Sequence, residues 1–195
     1  MGVSKLSKNV IAYRIGHHSN EYPIFDSGGS IIYPGRWNRK NKVIYAASNY
    51  SLALLEKLVH CNTGLVPKNQ QWIEITIPSA TSYETITTYS FPDWNVEKET
   101  QKYGDEWLES KRTCIMFVPS IIARVENNIL INDEHPEFGN IGASLHQPVV
   151  WDERLSIAFS NDGLIGETNY LSFIQRFNRW QQKHSSRRTS NKHFR

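Results

Sequence analysis

Residues 35–56 read GRWNRKNKVIYAASNYSLALLE, a stretch that predicts a loop, a short strand and a helix in immediate succession. Residues 43–47 form an apolar run of strand length. Ser48 or Asn49 can cap the helix that follows, which is predicted to run to about Cys61. The rest of the predicted architecture is built outward from this strand–helix pair.

The predicted helix has one apolar face. Its members occur at helical spacing and are Leu52, Leu55, Leu58 and Val59. Glu56 lies one turn after Leu52, at the flank of this face. A carboxylate in such a place costs free energy unless it is paired, and the spacing alone favours a helix-edge glutamate that pairs with Lys57 or a nearby arginine.

Further strands are predicted along the chain. The clearest is 72–77, in which three isoleucines alternate with other residues before Pro78 ends the run. The others are residues 10–15, 113–118 and 125–132. A second helix is predicted over 101–112, with Trp107 and Leu108 facing inward, and residues 16–34 are predicted to be a loop that can form a lid. Because strands outnumber helices and do not alternate with them, the pattern favours an α+β sheet core.

Composition is that of one globular domain. The chain has 195 residues, of which 39% are hydrophobic and 21% charged. Cys61 and Cys114 are too few for a disulfide framework, which favours a reducing, cytoplasmic location. No run approaches the roughly 18 apolar residues of a spanning helix, so no membrane association is expected.

Basic charge is concentrated in the last twenty residues. Residues 176–195 contain seven Lys or Arg and no acid, so they carry +7, whereas the whole chain carries +3 and residues 1–175 therefore −4. Residues 170–184 space apolar side chains as an amphipathic helix does. We therefore predict one folded domain over 1–160, followed by a basic helix and flexible tail over 161–195. The tail alternatively suggests a nucleic-acid-binding or interaction module.

The residue types in the opening stretch suit a pocket for a phosphorylated, positively charged ring compound. Arg36 offers paired donors that fit phosphate oxygens, and Gly35 lets the backbone approach closely; alternatively, Arg36 is a loop arginine paired with an acid. Tyr45 can stack on a ring, or be a core tyrosine. Glu56 can stabilise developing positive charge, or simply pair with Lys57.

The order of these segments resembles the RES-domain family. The resemblance is carried by Gly-Arg-Trp-Asn at 35–38, Ile-Tyr at 44–45, Leu-Ala-Leu-Leu-Glu at 52–56 and Val-Pro-Ser at 118–120. It extends from about Tyr13 to Leu155 and includes Asn128, Asn132, His135-Pro136 and the segment 151–155. Members of that family are toxins of bacterial toxin–antitoxin pairs that consume NAD. The resemblance implies one α+β domain with a mostly antiparallel or mixed sheet, similar to ADP-ribosyltransferases.

The same resemblance assigns roles to further residues. It implies that Glu56 acts in the chemical step with Arg36 and Tyr45, and that Arg14 is a second cation for the substrate. Ser120 would hydrogen-bond phosphate or ribose, although it can also cap a turn. Asn128 would orient the substrate, with the adjacent Asn127 as an open alternative. No residues at metal-ligand spacing are found, so no metal is expected.

The expected reaction is cleavage of the nicotinamide–ribose bond of NAD, with phosphate or water as acceptor. The alternative is transfer of ADP-ribose to a macromolecule. The chain contains neither a Gly-x-Gly-x-x-Gly nor a phosphate-binding-loop motif, so NAD is expected as substrate rather than as a bound cofactor, with inorganic phosphate a possible co-substrate. The resemblance also implies an antitoxin partner of the Xre helix-turn-helix type, and a homodimer is possible.

Overall fold

The computed structural model describes residues 3–17, 23–60, 66–152 and 155. The chain divides after Trp151, and every element described below belongs to the first unit, residues 1–151. The predicted helix at 170–184, the basic tail and the predicted boundary at 160/161 lie outside the described residues. Those predictions therefore remain predictions.

One sheet forms the centre of the described unit. Its strands are β1 (Ser4–Lys5), β2 (Val10–His17), β3 (Ile44–Ala47), β4 (Gln70–Ile77), β5 (Ser82–Thr85), β6 (Ile115–Pro119), β7 (Asn127–Ile131), β8 (Gly142–Ala143) and β9 (Gln147–Pro148). Their order is β1-β5-β6-β7-β3-β2-β4-β8, and β9 also pairs with β4. The pairs are antiparallel except β5–β6, which is parallel. The predicted α+β class with a mostly antiparallel, mixed sheet is confirmed.

The helices in the described part of the chain are short. They are α1 (Gly29–Ile32), α2 (Tyr50–His60), α3 (Glu97–Ser110) and a 3₁₀ turn at Phe138–Asn140. The prediction of a continuous loop over 16–34 was wrong at both ends, since β2 runs to His17 and α1 occupies 29–32. α3 begins four residues before the predicted start. Glu97 and Glu99 lie in its first turn, where acidic side chains interact favourably with the helix dipole. None of these helices is long and apolar enough to cross a membrane.

The buried face of α2 differs from the predicted one. Leu52 and Ala53 are buried, Leu55 packs beside them only in part, and Leu58 and Val59 keep partial exposure. The N-terminus is capped by Asn49, whose Oδ1 accepts the N–H of Leu52 at 2.8 Å.

The two faces of the sheet carry different side chains. One face is packed with isoleucines, which include Ile44, Ile73, Ile75, Ile77, Ile115, Ile129 and Ile131. On the other face, which we call the α2 face, the register aligns Tyr13 with Ala47, Ala47 with Asn128, and Asn128 with Val118. Since directly opposed residues of antiparallel strands point to the same side, these four side chains share the face that α2 covers.

Glu137 fastens the far edge of the sheet. Its carboxylate accepts hydrogen bonds from the Lys5 ammonium and from the backbone N–H and hydroxyl of Ser82, the last two at 2.7 and 2.6 Å. Burial raises the pKa of Glu137, but these hydrogen bonds outweigh burial and lower the pKa to about 2, from a usual value of 4.5. The ionised carboxylate therefore ties β1 and β5 to the chain segment that follows β7.

Candidate active site

Glu56 meets two other predicted site residues. Its Oε1 accepts a hydrogen bond from the hydroxyl of Ser120 at 2.9 Å and from the side-chain amide of Asn128 at 2.6 Å. The Glu56 side chain is 20% exposed, so the carboxylate is sheltered but still reachable from solvent. The structure thus brings Glu56 together with two candidates that lie 64 and 72 residues further along the chain.

The hydrogen bonds around Ser120 show which group accepts its hydroxyl proton. Ser120 is buried, and its Oγ accepts the backbone N–H groups of Ile122 at 3.2 Å and Ala123 at 3.0 Å. Because these donors occupy its lone pairs, the hydroxyl donates its own proton to Glu56. This agrees with the predicted turn-capping role of Ser120 and adds the contact with the carboxylate.

The two oxygens of Glu56 consequently differ. Oε1 receives two donors, whereas Oε2 lies 3.9 Å from Nε2 of His60, one helical turn further on and 77% exposed. Among the described residues, Oε2 is therefore the carboxylate oxygen left to face a ligand. Two fixed hydrogen bonds on Oε1 hold the plane of the carboxylate without occupying its second oxygen.

The choice between Asn127 and Asn128 is settled by strand alternation. Asn128 lies opposite Ala47 on β3 and donates to Glu56, whereas Asn127 is exposed at the start of β7 and points to the other side. Asn128 is therefore the asparagine that faces the carboxylate.

Glu126 ties the two sides of this cluster together. Its Oε2 accepts the amide of Asn49 at 2.9 Å and the hydroxyl of Ser48 at 3.3 Å, both just before α2. Its backbone carbonyl accepts the N–H of Ser120 at 3.0 Å. The start of the helix that carries Glu56 is thus fastened to the loop that carries Ser120. No sequence motif singles out Glu126, because its partners come from distant segments.

Tyr45 holds the Gly-Arg-Trp-Asn loop. Its hydroxyl donates to Oδ1 of Asn38 at 2.8 Å and accepts the N–H of Trp37 at 2.9 Å. A Cβ at Gly35 would stand 2.5 Å from the Tyr45 hydroxyl oxygen, so only glycine fits there. Burial is the main cause that raises the pKa of Tyr45, which keeps its hydroxyl neutral. Asn38 also anchors the loop through Oδ1, which accepts the N–H of Gly35 at 2.8 Å. In the sequence, only its position in the Gly-Arg-Trp-Asn motif pointed to Asn38.

Arg36 lies on this loop and does not contact Glu56. One guanidinium nitrogen donates to the carbonyl of Asn95 at 3.2 Å, and the side chain is partly exposed. Tyr45, on which the loop rests, points to the α2 face two residues before Ala47, the partner of Asn128. The loop that carries Arg36 and the cluster around Glu56 therefore lie on the same face of the sheet.

Arg14 occupies a different position from the other candidates. Tyr13 faces α2, so Arg14 points to the opposite face, where its guanidinium donates to the carbonyls of Tyr45 at 3.2 Å and Asp26 at 3.1 Å. Burial is the main cause that lowers the pKa of Arg14 to about 10. Strands β2 and β3 pair only at Tyr13 and Ala47, and Arg14 links them beyond that point. Its predicted contact with substrate stays a prediction.

Two other features lie apart from this cluster. A cavity of about 420 Å³ is lined by Pro78, Ser79, Ala80, Thr81, Glu137 and Asn140, and it includes none of the predicted site residues. Within the ranges that the structure describes, no group of three or more His, Cys, Asp or Glu side chains is arranged to hold a metal ion. The candidate site is therefore defined by Glu56 with its partners and by the neighbouring Arg36 loop.

Comparison with known proteins identifies a family and related toxins. The model of the RES domain matches residues 11–152. The "Prs ADP-ribosylating toxin" of a Sphingobium species is 35% identical over 152 residues, which are 73% of this chain and 94% of that protein. "Toxin Res" of Yersinia enterocolitica is 34% identical over 134 residues, covering 65% of this chain and 87% of that protein.

A solved structure shares the fold. The toxin–antitoxin complex MbcT–MbcA of M. tuberculosis contains a chain that superposes with a TM-score of 0.61 at 12% identity, covering 81% of this chain and 92% of that one. At this identity the likeness concerns the fold alone.

Proposed function

The chain belongs to the RES-domain family, and from this premise we propose that it is the toxin of a toxin–antitoxin pair and that it cleaves the nicotinamide–ribose bond of NAD. The observation that carries the proposal is the Glu56 carboxylate, fixed through Oε1 by Ser120 and Asn128, with Oε2 3.9 Å from the exposed imidazole of His60. Relatives named as ADP-ribosylating toxin and as Toxin Res support the same direction.

Cleavage of the nicotinamide–ribose bond requires only one carboxylate. The nicotinamide ring of NAD is a cation, and when the bond between its nitrogen and ribose C1′ breaks, the electron pair goes to the ring, which leaves neutral. No acid is needed to protonate it, unlike the oxygen leaving group of an ordinary glycoside. Positive charge develops on the ribose, and Oε2 of Glu56 stabilises it or hydrogen-bonds a ribose hydroxyl.

The other residues serve binding. Arg36, partly exposed on a loop held by Tyr45, supplies a guanidinium for the pyrophosphate. The Tyr45 ring packs against the core beneath this loop, and its partly exposed remainder would contact the nicotinamide or ribose. Ser120 and Asn128 act on the substrate through Glu56 in this scheme, and Arg14 adds positive charge from behind β3. NAD is the substrate, and no resident cofactor is required.

The acceptor is water or inorganic phosphate. With water, its oxygen bonds to C1′, one proton leaves to Glu56 or to solvent, and ADP-ribose forms. With phosphate, a phosphate oxygen bonds to C1′ and ADP-ribose 1″-phosphate forms. Either reaction would deplete NAD and arrest growth. By analogy with the toxin–antitoxin complex of the structural neighbour, we propose an antitoxin partner, of the Xre helix-turn-helix type.

Nicotinamide release from NAD tests the proposal. Purified protein, freed of any antitoxin, is incubated with NAD in phosphate buffer and in phosphate-free buffer. Chromatography then quantifies nicotinamide and the ADP-ribose or ADP-ribose 1″-phosphate that forms with it. We expect release by the wild type, strong loss in Glu56→Gln and Arg36→Ala, and unchanged release in Glu106→Gln, a matched variant of an exposed carboxylate on α3. Folded wild-type protein that releases no nicotinamide in either buffer would refute the proposal.

A second candidate function is transfer of ADP-ribose to a protein. It is favoured by the name of the 35% identical relative, an ADP-ribosylating toxin. The same bond breaks, but a nucleophile of the target protein, rather than water or phosphate, bonds to C1′. NAD labelled in its adenylate part, incubated with lysate and the toxin, distinguishes the two: labelled protein bands that require Glu56 support transfer, and label found only in small molecules excludes it.

A further inference from the structure

We propose that Asp105 is a positioning residue, which holds the loop of residues 35–41 in the geometry that presents Arg36 to the pyrophosphate of the dinucleotide. The inference rests on the proposed function and names a residue outside the family motifs. Asp105 lies on α3 and is only 9% exposed. Its carboxylate accepts the backbone N–H groups of Arg39, Lys40 and Asn41, each at 3.2 Å.

α3 holds the earlier part of the same loop as well. The hydroxyl of Thr100 donates to the carbonyl of Arg36 at 2.7 Å, and the amide of Gln101 donates to the carbonyl of Gly35 at 3.0 Å. Gly104 lies flush against the loop, since a Cβ there would stand 1.8 Å from the carbonyl oxygen of Trp37. Successive residues of one helix thus bind successive residues of the loop, and Asp105 supplies the contacts at its distal end.

The Asp105 carboxylate accepts hydrogen bonds from the loop backbone and from the side-chain amide of Asn41, and not from the charged side chains of the loop. The loop carries Arg36, Arg39 and Lys40, and the last two are exposed and form no ion pair with any residue in the described ranges. Backbone N–H groups, not these cations, satisfy the Asp105 carboxylate. A rigid backbone beneath unpaired cations is a preorganised site for a polyanion, because little freedom remains to be lost on binding.

The proposed role and a simple charge effect predict opposite changes in KM for Asp105→Asn. Asp105→Asn removes a negative charge from beneath a cationic loop, so a mere charge effect would strengthen binding of an anion and lower KM. The same substitution keeps one acceptor oxygen but removes the charge that strengthens its bonds to the N–H groups of Arg39, Lys40 and Asn41, and it replaces Oδ2, which accepts from Lys40, by an NH₂ group that cannot accept. Loss of the clamp therefore raises KM, in the direction opposite to the charge effect.

Glu109 offers a matched control. It lies one turn further along α3 and is exposed, and among the described residues its carboxylate accepts a hydrogen bond only from the side-chain amide of Asn41, at 3.1 Å. Glu109→Gln removes the same charge from the same helix beside the same loop. It leaves the backbone contacts of Asp105 in place.

The test combines steady-state kinetics of nicotinamide release with hydrogen–deuterium exchange of the folded, full-length chain. For Asp105→Asn we expect KM for NAD to rise about tenfold, the effect of losing roughly one charge-assisted hydrogen bond, with kcat within about twofold. Exchange of the amides of residues 39–41 should accelerate. Glu109→Gln should change neither quantity. Thermal unfolding checks that each variant is folded.

The outcomes separate this inference from the function on which it rests. Wild type that releases no nicotinamide refutes the proposed function and this inference with it. Active wild type with unchanged or lowered KM in Asp105→Asn overturns the inference alone, as does a raised KM with unchanged exchange at 39–41. Should Asp105→Asn not fold, Thr100→Val removes the bond to the Arg36 carbonyl instead, and a KM raised by less than about twofold in that variant would overturn the inference.

Discussion

Ser120→Ala is the substitution that most sharply separates indirect from direct participation in the reaction. The hydroxyl of Ser120 donates to Oε1 of Glu56 at 2.9 Å, so we expect it to act on the substrate only through the orientation of that carboxylate. The sequence resemblance instead suggests a direct hydrogen bond from Ser120 to phosphate or ribose. The two roles predict different behaviour when Glu56 is already absent.

The magnitude follows from the number of donors. A hydrogen bond to a charged group contributes about 1.5–3 kcal/mol. Asn128 still donates to the same oxygen at 2.6 Å, so the lower end applies, and about 1.4 kcal/mol corresponds to a tenfold fall in kcat. The substitution also leaves the N–H groups of Ile122 and Ala123 without their acceptor, which costs folding stability about 1–3 kcal/mol. At roughly 2–4 °C per kcal/mol, a lower Tm is expected in a protein that is still folded.

The assay is a double-mutant cycle. Nicotinamide release at saturating NAD is measured for wild type, Ser120→Ala, Glu56→Ala and the double variant, with labelled NAD to quantify slow turnover. If Ser120 acts only through Glu56, the double variant is as slow as Glu56→Ala, and the coupling energy equals the whole penalty of Ser120→Ala. A penalty of about tenfold that persists in the Glu56→Ala background would refute this reasoning and assign Ser120 a contact with the substrate.

Three further predictions concern stability and reactivity. Gly104→Ala should destabilise the fold by about 1–3 kcal/mol, because its Cβ would overlap a neighbouring carbonyl oxygen. Gly139→Ala is the control, since its Cβ meets nothing within 4 Å, and equal Tm values for the two variants would contradict this prediction. Since the pKa of Glu137 is lowered to about 2, its stabilising effect is complete above about pH 4.5 and lost as pH falls toward 2. Urea titrations should show the difference between wild type and Glu137→Gln shrinking over that range, and a constant difference would disprove it. Burial raises the pKa of Cys114 to about 12, so in a Cys61→Ser background iodoacetamide at pH 8 should label the thiol only after unfolding; rapid labelling of folded protein would disagree.

The sheet was predictable where each strand carries its own signal. The alternation of Ile73, Ile75 and Ile77 and the stop at Pro78 mark β4 without any tertiary information. The buried face of α2 was less predictable, because Leu58 and Val59 have the spacing of core residues but lie where packing against the sheet is incomplete. Helical periodicity reports which residues share a face, and the neighbours of that face decide how deeply each is buried.

Some residues of the candidate site were predictable from the sequence and others were not. Glu56, Ser120 and Asn128 were each proposed from motif positions, and the topology of β6, β7 and α2 makes them neighbours. Asp105 and Glu126 carry no local signal, since their partners are backbone amides or side chains of distant segments. Residues that hold a site together are found only when the chain is folded, whereas residues with unusual chemistry for their surroundings are visible in the sequence.

In the proposed complex the Glu56 carboxylate faces the nicotinamide ribose of NAD while Arg36 binds its pyrophosphate. A crystal structure of the inactive Glu56→Gln variant with intact NAD tests this most directly. We predict the side-chain amide of residue 56 within hydrogen-bonding distance of the nicotinamide ribose and the Arg36 guanidinium against the phosphates. A dinucleotide bound with its nicotinamide ribose out of reach of residue 56 would contradict the claim.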